Sequence, residues 1–200
     1  PQSLSPIAQR LSPNAYRPTP NASPLTPLPP LGIFWGYDKI PRDRGPLEER
    51  MELREFFNKE AVRLDLEGET EDEVLKELIG LLDLDEKSEG ILFKMIKRRE
   101  NLGSTGIGRG IAIPHCRSLV VNRLRVAFGR KPEGIEFGAI DDNPVKYFFL
   151  IVAPPLEVSN QYLPVLGKIA QFAKEPDVPE RLEALTEPDD FLRLLEEKAV

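Results

Sequence analysis

Gly103-Ser104-Thr105-Gly106-Ile107-Gly108-Arg109-Gly110-Ile111-Ala112-Ile113-Pro114-His115 places four glycines within eight residues and ends on the only histidine of a 200-residue chain. Glycines allow backbone positions with positive φ and let N–H groups approach an anion closely. The run is not a P-loop, because no Gly-Lys-Ser/Thr follows, and its glycine spacing does not fit G-x-G-x-x-G, so a nucleotide site is not expected. What remains is a compact loop with the hydroxyls of Ser104 and Thr105, four arginines nearby (Arg98, Arg99, Arg109, Arg117) and one imidazole. A neutral imidazole as nucleophile, a guanidinium for planar oxygens and backbone donors are the parts that hold a phosphoryl group. A lone histidine after an apolar strand is more often a packing or surface residue, and the residues alone leave both readings open.

The elements around the loop decide the fold class. Upstream, Thr70-Glu71-Asp72-Glu73 is a capping box, and Val74, Leu75, Leu78, Ile79, Leu81 and Leu82 recur behind it at helical spacing. A second helix is expected over about Ser88 to Glu100, burying Ile91, Leu92, Met95 and Ile96, and the glycines end it. Ile111–Ile113 is short and β-prone. Leu124–Phe128 and Val145–Val152 (VKYFFLIV) read as strands, the second apolar on both faces and therefore central. Asp141-Asp142-Asn143-Pro144 is a turn before it. Asn160–Ala173 is a helix with Tyr162, Leu163, Leu166, Ile169 and Phe172 as its apolar positions. A last helix follows Thr186, with Pro188 and two aspartates in its first turn. Helices and strands interleave without an internal repeat. The expectation is a single-domain α/β sandwich, a central mixed sheet flanked by helices, over residues 51–200.

Residues 1–50 differ. They hold 11 of the 20 prolines and six basic against four acidic residues, a charge of +2; with −6 for the whole chain, residues 51–200 carry −8. Each proline removes a donor and pushes its predecessor out of the helical region. Such a segment cannot easily bury enough apolar area to offset its ordering entropy, so it is expected to be a disordered Pro-rich extension, with Leu31–Tyr37 (LGIFWGY) as a sticky spot. A docking tail and an unstructured extension are both compatible with it. Met51 is the first methionine, a domain-like pattern (MELREFF) begins there, and Glu48 and Glu49 have purine-rich codons such as a bacterial ribosome-binding site carries. A third reading is that translation starts at Met51 and that residues 1–50 are not native protein. The mass of the protein from its own host decides this.

Composition excludes several classes. The acidic balance argues against a nucleic-acid binder. No run of 18 apolar residues exists, and the chain shows no secretory signal pattern, so no membrane insertion is expected. One cysteine, Cys116, excludes an internal disulfide and fits a reducing, cytoplasmic setting. One histidine beside one cysteine is too few ligands for a structural zinc; neither a metal nor a cofactor is expected.

Taken together, MELREFFNKEAV, RRENLGSTGIGRGIAIPH, FGAIDDNPV and the helix after an apolar strand resemble the enzyme IIA domain of the fructose/mannitol class of the phosphoenolpyruvate-dependent phosphotransferase system. Within it the likeness is to the nitrogen-regulatory IIA branch. The resemblance covers Met51 to the C-terminus, about three quarters of the chain. It implies a phosphocarrier. His115 would take a phosphoryl group through Nε2 from a histidine phosphocarrier protein, with Arg99 binding phosphoryl oxygens. Ser104, Thr105 and the loop amides would support the phosphate, Gly103, Gly106 and Gly108 would shape the loop, and Pro114 would orient His115. The family's usual second histidine, in a His-Leu pattern, is here Tyr162-Leu163, so Tyr162 is either a hydrogen-bond donor to phosphate or plain core. Where the family often has glycine after Ile-Pro-His, Cys116 and Arg117 stand, and Cys116 reads either as a small filler or as a redox-sensitive neighbour of the nucleophile. The resemblance implies regulated protein targets as partners. The alternatives are a sugar-specific subunit feeding a separate IIB component, and an interaction module that is not phosphorylated.

Overall fold

The computed structural model describes residues 52–156 and 160–198. The expectations for residues 1–50, including Leu31–Tyr37 and the start at Met51, lie outside the described residues.

The chain enters through two 3-10 turns, Leu53–Phe56 and Lys59–Ala61, and a two-residue strand β1 (Val62–Arg63). Helix α1 (Glu71–Gly80) begins on Thr70, whose side chain and that of Glu73 form the full reciprocal capping box. Helix α2 (Glu86–Glu100) is capped by the Asp85 carboxylate on the Ser88 N–H. Three short strands follow, β2 (Gly106–Gly108), β3 (Ile111–Ala112) and β4 (His115–Arg117). Then come two long strands, β5 (Arg125–Ile135) and β6 (Val145–Ala153). Helices α3 (Tyr162–Lys174), α4 (Val178–Glu183) and α5 (Pro188–Lys198) complete the fold.

The sheet is mixed, in the order β1-β5-β6-β3-β2, with β4 also paired to β6. β6 therefore has neighbours along both edges: antiparallel β5 on one side, parallel β3 and β4 end to end on the other. Pro114 accounts for the break between β3 and β4, because it has no N–H to give the ladder. Its carbonyl still accepts from the Ile151 N–H at 2.9 Å.

Side chains alternate across a strand. On β6, Tyr147, Phe149, Ile151 and Ala153 enter a core shared with α3, α4 and α5, while Phe148, Leu150 and Val152 enter a second core under α1 and α2. Every one of them is buried. This two-sided burial is the physical reason the strand is apolar throughout, and helices cover both faces of the sheet as expected. On the α3 face, Phe191 stacks on Phe128 at 4.1 Å between ring centroids.

Three local expectations are corrected. In α2, Leu92 and Ile96 are fully covered, but Ile91 and Met95 are 41% and 38% exposed. The helix packs chiefly on α1 and β4, and its central apolar row is the part they cover. Leu163 is exposed and Val165 takes its place in the core. β5 runs on past Phe128 to Ile135, through Pro132 and Gly134, because a register shift between Arg130 and Ile135 lets the ladder with β6 resume. β1, β2 and α4 carry no clear periodic signal in the sequence and appear only in the fold.

Candidate phosphoryl site

Pairing in register fixes where the chemistry lies. His115 sits opposite Ile151 and Arg117 opposite Ala153, so both share the α3 face of the sheet. Cys116, opposite Val152, points the other way into the core under α1 and α2. Burial pushes its thiol up to about 12. A thiol so held is protonated at neutral pH and is not a nucleophile, which fits its reading as a filler.

His115 is half-buried, and its Nδ1 lies 2.7 Å from the Ile113 carbonyl. A carbonyl can only accept, so in the neutral ring Nδ1 carries the proton and Nε2 carries the lone pair. Burial holds the imidazole below its ordinary value; the Ile113 carbonyl and Glu100 oppose that, and the Arg99 guanidinium adds to it. The ring is thereby neutral, correctly tautomerised and partly exposed.

Arg99 lies in the last turn of α2, where its Nη1 donates to the Gly103 carbonyl at 2.8 Å. The same helix end provides Glu100, a buried carboxylate that accepts from the Thr105 N–H and from the Thr105 hydroxyl. Both donors of Thr105 are thus turned to Glu100, and Thr105 supports the loop through that pair. Ser104 donates its hydroxyl to the Phe137 carbonyl at 2.6 Å and accepts the Gly106 N–H at 3.0 Å. Two glycines are sterically required. A Cβ on Gly106 would lie 2.7 Å from the Ala139 Cα, and Gly108 has φ +87° with Asp141 closing over it. Gly103, with φ +145°, faces open space.

Tyr162, the first residue of α3, is buried, and its ring lies 6.3 Å from the imidazole of His115. Arg117 lays its guanidinium over the same tyrosine ring, 4.4 Å from its centroid, and donates to the Pro154 and Pro155 carbonyls at 3.1 and 3.4 Å. Of the four arginines near the loop in sequence, Arg99 acts directly on His115, and Arg117 reaches the Tyr162 ring that lies beside it. Arg98 is exposed on α2. Arg109 reaches away to the Ala173, Glu175 and Pro176 carbonyls at 2.7, 3.0 and 3.0 Å, closing the C-terminus of α3. Glu100 was not foreseen as a site residue. Its signal was available: an acid in the last turn of a helix opposes the helix dipole and needs a local reason. Among the described residues no group of three or more His, Cys, Asp or Glu side chains is placed to hold a metal ion, and no helix is long and apolar enough to cross a membrane.

Residues 55–198 match the family model described as "Phosphoenolpyruvate-dependent sugar phosphotransferase system, EIIA 2". The "PTS system fructose-specific EIIABC component" of Bacillus subtilis is 30% identical over 134 residues, 66% of this chain but 21% of that much longer protein. A "Nitrogen regulatory protein" of Bradyrhizobium diazoefficiens is 29% identical over 135 residues, 67% of this chain and 88% of its own length. The crystal structure of nitrogen regulatory protein IIA-Ntr from Neisseria meningitidis superimposes with a TM-score of 0.65 and 29% identity, over 72% of this chain and 98% of that one. With the family model spanning most of the chain, the protein belongs to the EIIA 2 family of the phosphoenolpyruvate-dependent sugar phosphotransferase system.

Proposed function

We propose that His115 is the phosphoryl-accepting residue and that the domain over residues 51–200 is a regulatory, nitrogen-type phosphocarrier. The observation that carries this is the Nδ1–H bond to the Ile113 carbonyl, which leaves Nε2 as the nucleophile on a half-buried ring. The donor is a histidine phosphocarrier protein. In the transfer the donor's N–P bond breaks and its electron pair stays on the donor ring. The lone pair of Nε2 forms the new N–P bond, and His115 becomes an imidazolium whose remaining proton sits on Nδ1. The Ile113 carbonyl holds that proton and spreads the new charge. Arg99 binds phosphoryl oxygens, and Ser104, Thr105, Gly106 and Gly108 hold the shape of the loop beside the phosphoryl position. Positioning and charge stabilisation then supply the catalysis.

The likeness to proteins named nitrogen regulatory protein supports a role in which the phosphorylated and free forms bind different protein targets. The likeness to a fructose-specific EIIABC component supports a second reading, a sugar-specific subunit that passes the phosphoryl group to a separate IIB component. We place the exchange in the cytoplasm, consistent with a single, free cysteine.

The test is to incubate the protein with phosphoenolpyruvate, enzyme I and the purified phosphocarrier and to measure its intact mass. A gain of one acid-labile phosphate that His115→Ala abolishes is expected. No gain with the cognate carrier replaces this reading with that of an interaction module that is not phosphorylated. Onward transfer to a IIB protein replaces the regulatory reading with the sugar-specific one.

A further inference from the structure

A phosphoryl group on a histidine brings two negative charges to a half-buried ring, and Arg99 supplies one positive charge. Arg117 is a second cation that the fold seats beside Tyr162, the aromatic ring next to His115. It projects from β4 on the same face as His115, two residues along. Its guanidinium is fixed at two points, by the Pro154 and Pro155 carbonyls on one side and by the face of Tyr162 on the other. Tyr162 in turn lies against His115, so one aromatic ring borders both the imidazole and the guanidinium. Neither Arg99 nor Arg117 is paired with a carboxylate among the described residues. Arg130 and Arg181, which serve the fold elsewhere, do have such partners. A cation held by carbonyls and an aromatic face keeps its full charge for another anion.

We propose that Arg117, seated on the ring of Tyr162, is a second positive charge of the phosphoryl site and acts together with Arg99 to stabilise the dianionic group on His115. This rests on the phosphoryl-carrier reading given above. Arg117 makes and breaks no bond in this scheme, and the N–P exchange is as already written. Tyr162 serves as its platform. The place where the resemblance leads one to expect a second histidine is thus occupied by an aromatic ring carrying a permanent cation, whose charge does not vary across the physiological pH range. The charged and titratable groups around the phosphoryl position are Arg99 and Glu100 from the end of α2, Tyr162 from α3, and Arg117 itself.

The test uses the full chain phosphorylated by enzyme I and the carrier, as native protein and as Arg117→Gln, Arg117→Lys and Tyr162→Leu. Two quantities are read: the pH midpoint of the phosphoryl group from its 31P chemical shift, and the lifetime of the phosphoprotein. Loss of a nearby cation favours the protonated monoanion. The midpoint is expected to rise by about half a pH unit in Arg117→Gln, with a several-fold slower transfer, to move the same way in Tyr162→Leu, and to stay near the native value in Arg117→Lys. A midpoint and lifetime unchanged in both Arg117→Gln and Tyr162→Leu, while native protein carries phosphate on His115, overturn the proposal and leave the carrier reading standing. If Arg117→Gln does not fold, Tyr162→Leu decides alone. Native protein that takes no phosphate overturns both.

Discussion

The carboxylate of Glu100 accepts both donors of Thr105, the backbone N–H and, at 2.9 Å, the hydroxyl, so the end of α2 and the start of the glycine loop form one buried unit. Removing the acceptor strands both. Glu100→Ala is expected to destabilise the domain by about 1–3 kcal/mol for the buried amide alone and to slow phosphorylation, because Arg99 and the loop lose their common support. Glu100→Gln keeps one acceptor oxygen and is expected to cost less. Urea denaturation measures the first effect, and an Ala variant as stable as native protein would contradict it.

Arg99→Ala is expected to slow phosphoryl acceptance by about 10²-fold, the scale seen when one preorganised donor to a developing oxyanion is removed. Its hydrogen bond to the Gly103 carbonyl closes a helix end that other donors and water can also satisfy, so the thermal midpoint should fall little. Unchanged single-turnover transfer from the phosphocarrier would remove Arg99 from the site.

His115 is held below its ordinary value of 6.5, first by burial and then by the Arg99 charge. Phosphorylation needs the neutral ring, so the acid limb of the transfer rate should lie below pH 6.5 and move up in Arg99→Ala. The stability linkage has a definite sign. Above 6.5 the ring is neutral in both folded and unfolded chains. As pH falls below 6.5 the unfolded chain takes the proton first, and His115's contribution to stability is lost down to its lowered folded value. Native protein should lose more stability than His115→Ala over that window. Parallel stability–pH curves would show that the ring titrates normally.

Arg109 joins the β2–β3 turn to three carbonyls at the end of α3. Arg109→Ala is expected to cost about 1–3 kcal/mol through those lost charged-donor bonds, while phosphoryl acceptance at His115 proceeds at the native rate in folded protein. A fall in transfer comparable to that of Arg99→Ala would show that Arg109 reaches the phosphate after all.

Much of this site was legible before any fold was known. The glycines and the imidazole are adjacent in sequence, Arg99 lies four residues before Gly103, and a loop of that length can only bring them near one another. Arg109 shows the limit: it stands inside the loop, yet its left-handed backbone (φ 58°) and the nearby end of α3 turn it outward. Likewise Ile91 and Met95 sit on the expected stripe of α2 but meet no covering element, because helical spacing states which residues share a face and not how wide the neighbouring surface is.

The sequence by itself determined the main helices, the two long strands and their layers. The capping box starts α1, and the alternation of large apolar residues along β6 demands helices on both faces. Only the tertiary structure decided which charges face His115. Arg117 and Tyr162 are far apart in the chain, and they meet because β4 pairs with β6 in the register His115 opposite Ile151, directly beneath the start of α3. A shift of one residue would have turned Cys116 to that face and buried His115 and Arg117 on the other. That register is set by long-range packing of the whole sheet, which no local pattern of residues encodes.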